Sequence, residues 1–141
     1  MYAFIILCIL FAVKHFLADW QFQTTWMVHG KRRSGFRFIP ALFIHSLIHG
    51  YLTLYIVAAW FSLFEKVPPS RCLVFAGIDA GSHFIIDKLK VTAEFKDWHE
   101  FAFYEKGCAR DFQRFRLELN FLDQLLHAMV YLLLIYYITL V

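Results

Sequence analysis

The sequence is short of the residues that build most small redox and cofactor sites. Its three cysteines, Cys8, Cys72 and Cys108, stand in no CxxC or other ligand spacing, which argues against a thiolate zinc module or a cysteine-held iron–sulfur cluster. An odd count also argues against a disulfide framework, so small apolar side chains, buried or interfacial, are the expectation for all three. No Gly-rich phosphate loop occurs, which removes the backbone cradle used by nucleotide-binding folds. There is no low-complexity tract and no internal repeat beyond the residue pairs described below. Charged residues make up only 18% of the chain. The N-terminus has neither a basic n-region nor a small-residue cleavage site before Lys14, so it is expected to be a retained span and not a removed signal peptide.

What is present is apolar. Of 141 residues, 60% are hydrophobic and 20% aromatic, and mean hydropathy is +0.55, against about 45–50% apolar residues in soluble domains. A bilayer core needs about 20 mostly apolar residues as helix. Four segments are expected to cross: roughly 2–20, 38–64, 71–90 and 117–141. The third is interrupted by Asp79, His83 and Asp87, and its Gly77 and Gly81 stand at the spacing that lets a neighbouring helix approach. Its polar face is therefore expected to point into a bundle. Pro68 and Pro69 punctuate the connection before it, and Pro40 falls in the first turn of the second span. The fold expected is all-α, a single membrane domain over 1–141 built as a four-helix antiparallel bundle.

Orientation follows from where the basic residues fall. Lys31, Arg32, Arg33 and Arg37 lie in one loop; Lys88, Lys90, Lys96, Lys106, Arg110, Arg114 and Arg116 lie in the stretch before the last span. The opposite side has only Lys66 and Arg71. Both long loops are thus expected in the cytoplasm and both termini outside, in a bacterial inner membrane. Between about 91 and 116, aromatic residues (Phe95, Trp98, Phe101, Phe112, Phe115) alternate with charges, as in an amphipathic segment lying along the headgroups. Trp20, Trp26 and Phe38 would join that interfacial belt. Lipid headgroups account for these basic residues without invoking nucleic acid.

Every expected span carries one polar pair at i, i+4: His15 and Asp19, His45 and His49, His83 and Asp87, Asp123 and His127. Residues four apart share one helix face, one turn from each other. In four antiparallel helices, Asp19, His45, Asp87 and Asp123 would form an outer ring, with His15, His49, His83 and His127 one turn deeper. Ionisable groups in a span cost roughly 2.5–3.5 kcal/mol each on insertion scales, so eight of them need a shared reason. A structural Asp–His network is one reason and a metal site another. Imidazole and carboxylate without thiolate suit zinc, manganese or iron. Eight candidates exceed one tetrahedral ion, so either two ions bind or some residues orient the ligands.

The reading taken forward makes His15, His45, His49, His83, Asp87 and His127 the ligands of one or two divalent ions. Asp19 and Asp123 are the candidate bases, and Asp79, one turn beneath His83, would hold that ring's other nitrogen. Lys14, Lys88 and Lys90, with Gln21, Gln23 and Gln124, are candidates for holding an anionic substrate; snorkelling to the headgroups is the plainer role for Lys14.

The stretches "HFLADWQFQ", "HSLIHG", "HFIIDKLK" and "DQLLH" resemble those of a family of bacterial and phage membrane proteins, domain of unknown function 3307. The resemblance spans most of the chain and implies a shared fold and a shared set of His, Asp, Gln and Lys positions, without an activity. "IHSLIHG" is also similar to a stretch of membrane-bound metal-dependent hydrolases, although the longer Asp-rich segment of those enzymes is missing. The functional expectation is a metal-dependent hydrolase acting on a phospholipid or polyprenyl-phosphate-like amphiphile. The alternatives are a di-iron lipid oxidoreductase, a metal or proton carrier, and a non-enzymatic membrane interaction factor.

Overall fold

Between Gly81 and Gly107 the chain has neither proline nor glycine, and the helix that begins at Pro69 runs unbroken to Phe101. The computed structural model describes residues 2–31, 38–64, 68–101 and 109–140, with the side chains of 94–101 and 109–113 outside that description. Among the described residues the chain is all-helical: α1 (Tyr2–Phe16), a π-helical turn (Leu17–Gln21), α2 (Thr25–Lys31), α3 (Ile39–Phe64), α4 (Pro69–Phe101) and α5 (Ala109–Leu140).

The local chemistry accounts for the boundaries. Thr24 caps α2, its Oγ1 accepting from the Met27 amide at 3.3 Å. Pro69 opens α4 at a position where a missing N–H costs nothing. The α1 helix does not stop at Phe16 but widens, and the Phe22 amide bonds five residues back to the Leu17 carbonyl at 3.0 Å. Such a turn takes one extra residue and re-aims the side chains it carries, here including Asp19.

Three of these helical stretches are long and apolar enough to cross a membrane: Tyr2–Gln21, Ile39–Phe64 and Arg114–Leu140. The α4 helix is long enough, but Asp79, Asp87, Lys88 and Lys90 interrupt its apolar run. At 33 residues it is about 50 Å long, well over the roughly 30 Å of a hydrocarbon core. The span expected over about 71–90 is thus part of a longer helix, which the charges at Asp87, Lys88 and Lys90 do not break. Residues 91–101 continue α4 and 109–116 belong to α5, so the stretch expected along the headgroups is built from the ends of two long helices; residues 102–108 lie outside the described residues, as do Arg32, Arg33, Arg37 and Lys66.

The helices close a ring of contacts: α1 packs on α3 and α5, α3 on α4, and α4 on α5, with α2 against α3. The resulting body carries a buried polar layer next to its apolar core, and much of its outer surface is apolar. Lys14, His45, His49, Thr53, Asp79, His83, Asp87, Asp123 and His127 are buried, while Ile5, Ile9, Leu47, Ile85, Leu132 and Leu133 are among the exposed residues. In water that distribution would be unfavourable on both counts, whereas in lipid the exposed apolar faces carry no penalty.

Gly50 is the close contact between α3 and α4. A Cβ there would stand 2.8 Å from the Ala80 Cβ and 2.9 Å from the Ala76 carbonyl oxygen. Gly77 and Gly81, expected to serve this purpose, have nothing within 4 Å of such a Cβ, because α4 turns its alanine face and not its glycine face toward α3. Gly50→Ala is therefore expected to destabilise the fold by about 1–3 kcal/mol, and Gly81→Ala to leave it within about 0.5 kcal/mol. Denaturation midpoints of the two variants in one detergent check this.

Candidate metal centre

A side chain every fourth residue makes a ladder on each helix, and the four ladders face one another. On α3 the rungs are His45, His49 and Thr53; on α4 they are Asp87, His83 and Asp79; on α5 they are Asp123, His127 and Tyr131. Asp19 and His15 come from the π turn and α1. Continued inward, the same ladders become Val57 and Phe61, Phe75, and Ile135, which join Leu7, Phe11, Cys72, Leu134 and Ile138 in a dry core cluster. The polar rungs thus end abruptly, three deep.

The outer and middle rungs converge. His45 Nε2 lies 3.1 Å from Asp19 Oδ1, His49 Nε2 lies 3.2 Å from the same oxygen, and His83 Nε2 lies 3.2 Å from His45 Nε2. Ligand atoms of Asp19, His45, His49 and His83 all fall within 4.8 Å of one another, and so do those of His83, Asp87 and His127. His83 belongs to both groups. Its ring is stacked between His49 at 3.5 Å and His127 at 4.1 Å, centroid to centroid. Asp87 touches both sides, its Oδ1 3.5 Å from His127 Nε2 and its Oδ2 3.7 Å from His45 Nε2.

The donor set fits a divalent ion. Around a tetrahedral zinc with bonds of about 2.0–2.1 Å, neighbouring donor atoms stand about 3.3–3.4 Å apart. The three separations measured within the first group, 3.1, 3.2 and 3.2 Å, are close to the edges of such a tetrahedron. Two histidines have their outer nitrogen fixed by Tyr131: its hydroxyl lies 2.9 Å from His15 Nδ1 and 3.4 Å from His49 Nδ1. The Nδ1 atoms of His45 and His83 are buried with no hydrogen-bond partner among the described residues, so those two rings are held only through their Nε2 contacts.

Several expected roles are corrected by position. His15 lies in neither ligand group; its Nε2 stands 3.1 Å from Asp19 Oδ2 and 3.1 Å from Gln124 Oε1, the place of an orienting partner. Asp19 falls among the ligand atoms, whereas Asp123 does not. Asp79 does not reach His83. It accepts from Thr53 Oγ1 at 2.6 Å and pairs with Lys14, because Lys14, turned about a quarter-turn off the ligand face, points into the bundle beneath Tyr131. The Lys14 ammonium also sits 4.4 Å from the Tyr131 ring centroid and 3.0 Å from Thr53 Oγ1. It is 2% exposed, so it neither snorkels nor faces a substrate. Lys88 and Gln21 are exposed and outside the cavity lining described next.

That cavity, about 300 Å³, opens above the ligand atoms and is lined by Asp19, Asp87, Asp123 and His127 together with Lys31, Lys90, Arg116 and the amides Gln23, Asn120 and Gln124. Lys31 donates to Asp87 Oδ2 at 2.7 Å, and Lys90 to Asp123 Oδ2 at 2.9 Å. Lys31, Asn120, Thr53 and Tyr131 were not singled out by sequence reasoning. Thr53 and Tyr131 had a signal, since each continues its ladder by four residues; Lys31 and Asn120 reach the cavity through tertiary packing and had none.

The family model for DUF3307, described as a protein of unknown function, matches residues 6–141. No curated protein and no solved structure matches the chain.

Proposed function

The chain belongs to the DUF3307 family, whose description assigns no activity, and from the site itself we propose an integral inner-membrane metalloprotein that hydrolyses an amphiphilic, anionic substrate at the cytoplasmic leaflet. The observation that carries this reading is the pair of ligand groups sharing His83 at the base of a cavity edged with lysine. The four long helices form an antiparallel bundle in this proposal. The asymmetry of basic residues supports a cavity mouth on the cytoplasmic side, and α4 would cross with its charged face covered by α3 and α5.

Asp19, His45, His49 and His83 would hold one ion, zinc, manganese or iron. Asp87 and His127 would complete a second position, with Asp87 placed to bridge. Because one imidazole nitrogen serves one ion, His83 commits to a single position at a time. A divalent ion supplies Lewis acidity and lowers the pKa of its water to about 7. The remaining work falls to the chain. Lys31, Lys90 and Arg116 bind the anionic head, and Gln23, Asn120 and Gln124 orient it. Tyr131 and His15 hold ligand rings in place. Asp123, in neither ligand group, is the general base: Lys90 anchors its Oδ2, and its Oδ1 is buried with no hydrogen-bond partner among the described residues. The dry core beneath the third rung weighs against a carrier, which would need polar groups continuing across.

Elemental analysis of detergent-purified protein is the test. Wild type is expected to hold one or two equivalents of a divalent metal and His49→Ala to lose most of it. Asp123→Asn is expected to keep the metal while turnover of a phospholipid or polyprenyl phosphate falls about 10²–10⁴-fold. Folded wild type without metal would end the metalloprotein reading; full metal in His49→Ala would put the ion elsewhere.

A further inference from the structure

The cavity is balanced in charge. Of the side chains that line it, three are carboxylates, Asp19, Asp87 and Asp123, and three are cations, Lys31, Lys90 and Arg116. The layer below is balanced as well, Lys14 against Asp79. Counted over the described side chains with the imidazoles neutral, the metal-free chamber sums to zero charge, and its lysines are already engaged with carboxylates at 2.7 and 2.9 Å. Such a cavity has little net attraction for an anion.

A divalent ion changes this in two ways. It adds two positive charges to a partly buried space, where screening by salt is weak. It also draws charge from the carboxylate it binds. Asp87 turns Oδ1 toward His127 and His83, and Oδ2 toward Lys31 and, at longer range, His45, so an ion held among the histidines draws charge from either oxygen and weakens the hold on Lys31. A freed ammonium beside a doubly positive centre needs a dianion, and one dianion neutralises one ion. A phosphate monoester carries about −1.5 to −2 near pH 7; a diester carries one negative charge, and a zwitterionic headgroup has none in net. Its terminal oxygens also offer the acceptors that lysine donors require.

We infer that the cavity takes up a divalent ion and a phosphate-monoester dianion cooperatively, with Lys31 exchanging its Asp87 partner for the anion once metal is bound. This rests on the metalloprotein reading and adds to it a substrate class and an order of binding. Linkage makes the coupling reciprocal: the anion must tighten the metal by the same factor as the metal tightens the anion.

The test uses the full chain in phosphatidylcholine nanodiscs, with free Mn²⁺ followed by its paramagnetic resonance signal and corrected for Mn²⁺–phosphate complexes. Inorganic phosphate is expected to tighten Mn²⁺ at least tenfold. Lys31→Met is expected to bind Mn²⁺ with that enhancement reduced below twofold, Lys31→Arg to retain most of it, and Lys88→Met, at an exposed position, to behave as wild type. Replacing part of the lipid by phosphatidic acid separates the sources. Tightening without added phosphate identifies a lipid-borne monoester, and tightening by soluble phosphate alone identifies a soluble one; either supports the coupling. Equal Mn²⁺ affinity with and without both anions overturns it while leaving the metal site standing. Equal tightening by the diester phosphatidylglycerol overturns the monoester assignment. No Mn²⁺ binding in any condition overturns this inference together with the metalloprotein reading.

Discussion

His83→Ala is expected to strip the protein of metal, lowering affinity by well over a hundredfold. His83 is the one residue common to both ligand groups, and its ring separates His49 from His127 in a continuous stack. Alanine removes a donor from either ion position and opens a gap into which both neighbouring rings can tilt. His15→Ala is the comparison that gives this meaning. His15 touches the same rings, at 5.4 Å from His49 and 5.9 Å from His83, but supplies no ligand atom to either group. Its loss should cost about 10–100-fold, as removal of an orienting partner does. Metal content and the denaturation midpoint of both variants, taken on the same preparations, decide the matter. If His83→Ala kept the full metal content of wild type, the cluster would be a hydrogen-bonded network and not a binding site.

Lys14→Met should be the most destabilising single substitution outside the ligand groups, by about 3–5 kcal/mol, because it leaves the Asp79 carboxylate buried and unpaired. Both groups are nearly inaccessible, at 2% and 1% exposure. Asp79 Oδ1 has no hydrogen-bond partner among the described residues, so the carboxylate depends on Lys14 and Thr53 through its other oxygen. The double variant Lys14→Met/Asp79→Asn should recover most of the loss, since no ionised group is then left behind. Unfolding of the single and double variants in mixed detergent measures the coupling. A neutral Lys14→Met would show that the pair is not what holds α1 against α3 and α4.

The paired residues were legible in the sequence because helical spacing is a local property. His45 and His49, or Asp123 and His127, share a face whatever surrounds them. Their convergence followed from hydropathy, which fixes where each helix starts and therefore how far along it each pair lies. Partners across the bundle were a different matter. Lys14 and Asp79 are 65 positions apart, and spacing around Lys14 says only that it points away from His15, not what it meets. Lys31 looked like a loop cation because α2 is too short to leave a periodic trace, yet α2 lies on α3 closely enough that a Cβ on Gly30 would collide with Ala41, and that contact delivers Lys31 to Asp87. The length of α4 does not show in hydropathy for a related reason. Loss of hydrophobicity marks where lipid could end, whereas only proline, glycine or a cap marks where a helix must.

The polar ladders stop after three rungs, and Val57, Phe61, Phe75, Ile135 and Leu7 seal the floor beneath them. For the proposed hydrolase, a vestibule closed at its floor leaves the opposite end for both entry and exit. Spent product has to back out along the route by which fresh reactant arrives, so the two compete for the same threshold. Rates measured as product accumulates should therefore decline in a manner that excess reactant reverses.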